Sequence, residues 1–168
     1  MSRDADAAWE RVLVTWGPAL LRLARAYTIT ASDTDDLMQE ISFALWRALP
    51  GFRQECSERT FVYRVAHNRA TSWRRAHARH AHARDVDTQL ADPAPWADDQ
   101  AFRAERAERL RLAVRRLPSH LAQVVVLRLE GLHDAEIAEV VGISEGNVAV
   151  RLTRARALLR DQLRGDDT

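Results

Sequence analysis

Between Gly131 and Arg160 the chain reads GLHDAEIAEVVGISEGNVAVRLTRARALLR, a stretch that admits few folds. Apolar Ile137, Val140 and Val141 recur at the spacing of one helix face. Val148, Leu152, Ala155 and Leu159 do the same at intervals of four, three and four. Between the two stripes stand Gly142, which takes left-handed backbone at no steric cost, and Ser144, whose hydroxyl suits a helix start; Asp134 is predicted to cap the first helix. The pattern is a helix-turn-helix. The outward side of its second helix carries Gly146, Asn147, Val150, Thr153 and Arg154, small and polar groups that suit a DNA major groove, with Val150 placed to meet a thymine methyl. The plainer alternative is a helical hairpin with a solvated arginine face and an ordinary exposed valine.

The rest of the composition narrows the class. A chain of 168 residues, 46% hydrophobic and 29% charged, has apolar content enough to fold and room for one domain or two small ones. It has no apolar run of membrane length, and MSRDADAAWE lacks the basic and apolar regions of a signal peptide. Cys56 is the single cysteine, which excludes an internal disulfide framework; a cytoplasmic protein is expected. Net charge is only +1, but it is segregated: residues 59–84 hold seven arginines, four histidines and no acid, whereas 33–40 and 85–99 are acidic without a base. Such segregation suggests separate surfaces for a polyanion and for another partner.

Taken in order, residues 7–28 read as helical with a break or kink at Gly17-Pro18, and their apolar residues as core. Asp33 is predicted to cap a helix over 33–49 with the inward stripe Leu37, Ile41, Ala44, Leu45 and Ala48. Asp36, Gln39, Glu40, Phe43 and Trp46 project to the other side. Two large aromatics among acids make a poor solvated face. Either a partner protein docks on them, since aromatic anchors carry much interface energy, or the first helices cover them. Residues 50–58 read as a loop ending in a Ser57 cap. A helix over 59–75 then sets Val62, Val65, Ala66, Ala70 and Trp73 inward. Arg64, His67, Asn68, Thr71, Arg74 and Arg75 share the other side, flanked by Phe61 and Tyr63. Arginine for phosphates among polar and aromatic groups for bases suits nucleic acid. His77, His80 and His82 offer no fourth metal ligand and read as a basic tail. Residues 85–100, with two prolines and five aspartates, read as a linker whose acids could lie against the basic face; a helix resumes from Ala101 and stops at Leu117-Pro118. No catalytic constellation, metal site or cofactor motif is found, and none is expected.

Three stretches together carry a resemblance: DTDDLMQEISFALWRAL, then FRQECSERTFVYRVAHNRATSWRR, then LPSHLAQVVVLRLEGLHDAEIAEVVGISEGNVAVRLTRARALLR. In this order and separation the chain resembles bacterial RNA polymerase sigma factors of the extracytoplasmic-function (ECF) group, with the family's regions 2 and 4. The resemblance implies an all-α chain of two small helical domains: region 2 over 1–84, a flexible acidic linker over 85–103 and region 4 over 104–168. It implies docking on core RNA polymerase through Asp36, Leu37, Gln39, Glu40 and Trp46, to which the aromatic reading adds Phe43. The loop from Arg53 through Gln54 and Glu55 to Glu58 would read the −10 promoter element. His67, Asn68, Arg74 and Arg75, with Arg64 and Thr71 on the same face, would melt or hold it. The −35 duplex would be read by the segment from Ser144 to Arg154, with Glu145, Gly146, Asn147, Ala149, Val150 and Arg151 between. Promoter DNA, core polymerase and an anti-sigma factor are the implied partners. Three departures stand out: His133 where the family usually caps with serine or threonine, Phe61 for a frequent tryptophan, and Asn147, Ala149 and Val150 where threonine, lysine and serine are common. They bear on promoter sequence, not on class. A stand-alone helix-turn-helix regulator with a sensing or dimerising N-terminal half is the alternative; an enzyme using Cys56 and the histidines would need more ligands.

Overall fold

The computed structural model describes residues 3–81 and 98–165, with side chains described for 6–77 and 103–164. The described residues form seven α-helices: α1 (Arg3–Tyr27), α2 (Ala31–Ala48), α3 (Glu58–Ala81), α4 (Asp98–Arg116), α5 (Ser119–Leu129), α6 (Asp134–Val141) and α7 (Glu145–Gly165), with a 3-10 turn at Leu49–Gly51. The described residues contain no strand. Most of the segment predicted as a linker, and His82 of the basic tail, lie outside the described residues, and the side chain of His80 lies outside the described side chains. The helix after it begins at Asp98, earlier than the predicted Ala101.

Helices α1 to α3 form one bundle and α4 to α7 a second. In the first, Leu20, Leu23, Leu37, Ile41, Leu45 and Val62 are fully buried; in the second, Leu127, Leu132, Ile137, Val148 and Ala155 are. Of the break or kink predicted at Gly17-Pro18, a break is absent. The helix runs unbroken through Pro18, although proline removes one hydrogen bond, because Val12 and Leu20 on either side are both fixed in the core.

Two helix starts differ from expectation. Thr30, not Asp33, caps α2: its hydroxyl accepts from the Asp33 amide at 3.0 Å, which leaves Asp33 in the first turn. His133, not Asp134, is the residue before α6, and its backbone N–H donates to Glu136 Oε2 at 2.8 Å. Asp134 becomes the first helical residue and pairs with Arg128. Other caps follow the sequence. Ser57 Oγ accepts from the Thr60 amide at 3.0 Å, Ser144 Oγ from the Asn147 amide at 3.2 Å, and Gly142 has φ 77°.

Two side chains assigned to the basic face of α3, or to its flank, are core. Tyr63 is 2% exposed and packs edge-on against Trp16. His67 is 3% exposed, edge-on to Tyr27, whose hydroxyl lies 3.3 Å from Nδ1. Helix α1 closes over this side of α3, so the buried arc is wider than the apolar stripe marks. Burial pushes the His67 imidazole down to about 4. Its folded pKa lies below the unfolded value, so its contribution to stability is present above about pH 6.5 and is lost as pH falls through 4. By pH 4 the loss should reach about 3 kcal/mol. Denaturant titrations of the native protein and His67→Gln at several pH values check this; parallel pH profiles would refute it.

Candidate protein-docking and nucleic-acid surfaces

The outward face of α2 is built by an i, i+3 pair. Phe43 is 58% exposed and stacks on Trp46 with ring centroids 5.9 Å apart, and the Arg47 guanidinium lies 5.9 Å from the Phe43 ring. Trp46 is half-buried: its indole Nε1 donates to Asp6 Oδ1 at 3.2 Å, so α1 covers it on one side. Trp9 Nε1 donates to the Ser42 carbonyl at 3.1 Å and holds α1 against α2 there. Between the two helices runs an open groove of about 710 Å³, lined by Trp9, Met38, Gln39, Phe43 and Trp46 with Asp6 and Glu10 at its edge. Sequence reading missed Trp9 and Met38, which it placed in the core or passed over. Of the other α2 candidates, Asp36 is exposed, Leu37 is fully buried and Glu40 pairs with Arg69 of α3 at 2.5 Å. Leu37 therefore positions the face and does not belong to it. Glu40 is half-buried and occupied from within.

The loop before α3 presents Arg53, Gln54 and Glu55 to solvent. Phe52 anchors it by packing on Phe61 at 4.5 Å, and Gln54 takes left-handed backbone with φ 59°, a conformation few residues other than glycine hold without support. On α3, Asn68 and Arg75 are exposed, and Thr71 and Arg74 are half-buried beside Tyr27, Ser119 and Gln123. Arg64 is tied to Glu139 of α6 at 2.6 Å. The predicted face is thus divided: His67 drops into the core, Arg64 is engaged, Arg74 Nη2 donates to the Arg115 carbonyl of α4 at 3.4 Å, and Asn68, Thr71 and Arg75 remain toward its C-terminal end. His77 stacks on Trp73 at 3.9 Å. Among the described residues, no three His, Cys, Asp or Glu side chains gather as a metal site.

Helix α7 follows its sequence closely. Val148, Leu152 and Ala155 are buried against α5 and α6, whereas Ser144, Glu145, Gly146, Asn147, Ala149, Val150 and Arg154 are exposed and Arg151 is half-buried. Val150 is 48% exposed, an apolar side chain held in water by its place on the helix. Thr153 Oγ1 donates to the Ala149 carbonyl at 2.9 Å and is turned to its own backbone.

Comparison with known proteins decides what this pair of bundles is. Residues 13–80 match the model of Sigma-70 region 2 and residues 107–159 that of Sigma-70 region 4. The ECF sigma factor SigM of Mycobacterium tuberculosis is 33% identical over 141 residues, covering 83% of this chain and 69% of its own. The chain belongs to the ECF family of RNA polymerase sigma factors. The ECF sigma-E factor of Escherichia coli is 29% identical over 173 residues, spanning 97% of this chain and 90% of that one. The chain spans only 40% of another relative, the probable sigma factor RfaY of Xanthomonas campestris, at 28% identity. Among solved structures, CnrH in complex with the cytosolic domain of CnrY superposes with a TM-score of 0.71 at 27% identity, covering 96% of this chain and 90% of that one. The sigma factor RpoE of Bartonella quintana, bound to the anti-sigma factor NepR, shares the fold with a TM-score of 0.72, covering 94% of this chain and 97% of that one at 20% identity. The stand-alone regulator is not favoured, because the N-terminal half is region 2.

The inward and outward sides of α2 should respond differently to truncation. Ile41 is fully buried, so Ile41→Ala should cost about 2–5 kcal/mol of unfolding free energy. Phe43→Ala, at an exposed position, should cost less than about 1 kcal/mol. Equal losses in denaturant titrations would make Phe43 a core residue.

Proposed function

We propose that this ECF sigma factor acts as the promoter-specificity subunit of RNA polymerase, docking through α2, reading a −35 duplex with α7 and holding an opened −10 strand with α3 and its preceding loop. The observation that supports this most is the joint presence in one chain of region 2 and region 4, with the outer face of α7 free. The groove between α1 and α2, with Phe43 and Trp46 stacked at its rim, has the form of a hot-spot pocket for a partner helix. On α7, Asn147 and Val150 would meet base edges while Arg151 and Arg154 meet phosphates. On α3, Asn68, Arg74 and Arg75 carry the −10 reading, and His67 is withdrawn from it. The chain itself performs no bond chemistry in this reading; synthesis belongs to polymerase, in the cytoplasm. A regulator of the anti-sigma kind is the further partner suggested by the complexes in which the structural neighbours were solved.

Arg154→Ala should weaken −35 duplex binding and flatten its salt dependence, because a phosphate contact releases counterions. Val150→Ser should instead change preference at one base position by about 1–3 kcal/mol. Selection from a randomised −35 library on reconstituted polymerase separates the two, and identical preferences for both variants and the native chain would exclude α7 as the reader. In nuclease footprints, joint protection over −35 and −10 should require core polymerase, since unstacking costs a few kcal/mol per step. A tight promoter-specific footprint from the chain alone would overturn the proposed role.

A further inference from the structure

The contact between the two sigma regions joins cations of one to carboxylates of the other. Glu130, at the end of α5, is met by Arg22 of α1 through a two-point pair, Nε to Oε1 at 3.1 Å and Nη2 to Oε2 at 2.7 Å, and by the Tyr63 hydroxyl at 3.3 Å. Arg59 Nη2 donates to the Glu130 carbonyl at 2.9 Å, and its Nη1 lies 3.7 Å from Glu136 Oε1. Arg64 Nη2 lies 2.6 Å from Glu139 Oε1. Behind these pairs, Arg111 Nη1 donates to the carbonyls of Arg25 at 3.1 Å and Thr28 at 3.4 Å. Three acids of region 4 thus sit on three arginines of region 2, two of which belong to α3.

We propose that the free chain is held closed by this acidic clasp, Glu130, Glu136 and Glu139 on Arg22, Arg59 and Arg64, and that the clasp occupies the N-terminal half of the α3 basic face. Carboxylates seat on guanidinium groups in the manner of phosphates, so the chain's own acids stand where a nucleic-acid backbone would. The clasp is uneven. The Glu130 side chain is 7% exposed and acts as a pin, although its partner Arg22 is 59% exposed; Arg64 and Glu139, 38% and 46% exposed, form a rim that salt screens. The outer face of α7 takes no part, so closure leaves the duplex-reading helix free and engages only the strand-holding one. The closure rests on these ion pairs, with the hydrogen bonds of Arg59, Arg74 and Arg111 to carbonyls across the same contact; its consequence for DNA rests on the proposed role of α3.

Small-angle scattering of the full chain tests the closure. Glu130→Gln/Glu136→Gln/Glu139→Gln should enlarge the radius of gyration, whereas Asp35→Asn/Glu105→Gln/Asp161→Asn, which changes net charge equally away from the contact, should not. A fluorescent A/T-rich single strand should bind the clasp variant about tenfold more tightly than the control, the worth of one charge-assisted contact regained. Unchanged dimensions in the clasp variant, or equal expansion in the control, would overturn the clasp. Expansion without an affinity gain would keep the clasp and overturn the role of α3 in holding a strand. Should the clasp variant lose helicity, the exchanged pair Arg64→Glu/Glu139→Arg decides: compaction restored relative to either single substitution supports the clasp, and no restoration refutes it.

Discussion

The carboxylate of Glu130 is the point on which the two halves of this sigma factor meet. It is almost fully desolvated, an expensive state that only paired donors offset, and Arg22 and Tyr63 supply them. Only the carboxylate is withdrawn from water: Arg22 is 59% exposed, so solvent screens the pair from the arginine's side. Burial, reinforced by the Glu130 charge, pushes the Tyr63 hydroxyl up to about 12, so it stays a donor throughout the neutral range. The backbone puts the carboxylate there. Helix α5 ends with the Leu132 amide donating to the Leu127 carbonyl at 3.2 Å and the Gly131 amide to the Arg128 carbonyl at 2.9 Å, closing around Gly131 in left-handed backbone with φ 78°. A side chain at that glycine would be strained by the backbone and would stand 3.4 Å from Arg59 Nη2.

From this junction the surfaces divide by accessibility. Helix α7 is braced by α5 and α6 on its inward stripe and meets solvent on its outer one, so the face proposed to read DNA is already formed. Helix α3 is sandwiched between α1 and α6, and its N-terminal arginines are already paired. The α2 face lies away from the junction, with its aromatics supported by α1 through Trp9 and the Asp6 carboxylate. An exposed α7 face, an α3 whose N-terminal arginines are paired and an open groove between α1 and α2 thus coexist in one small chain. Their differences come from what each helix packs against, more than from composition.

Local chemistry made the second bundle legible. Gly142, Ser144 and the α7 stripe act within a turn or two of themselves, and each behaves in the fold as its residue type dictates. The first bundle was legible in its apolar stripes and less so at their margins. A continuous α1 could not be read from Gly17-Pro18, since proline signals a break and only packing on both sides overrides it. The caps at Thr30 and His133 stand one to three residues from the predicted ones, because several polar residues compete for each start and the hydrogen bond formed depends on how the incoming chain is held.

The all-α class, the helix-turn-helix and the outer face of α7 were set by periodicity and turn chemistry, which are short-range and therefore written in consecutive residues. Burial of Tyr63 and His67, the engagement of Arg64 and the groove between α1 and α2 were decided by which helices meet. Tyr63 and His67 have polar atoms that read as surface until a partner such as Glu130 or Tyr27, distant in sequence, satisfies them in the interior. Likewise, charge counts along the chain show where arginines and acids concentrate, but ion pairing depends on distance in space. The clasp joins residues more than seventy positions apart, and only the packing of α6 on α3 and of α5 on α1 brings them within reach.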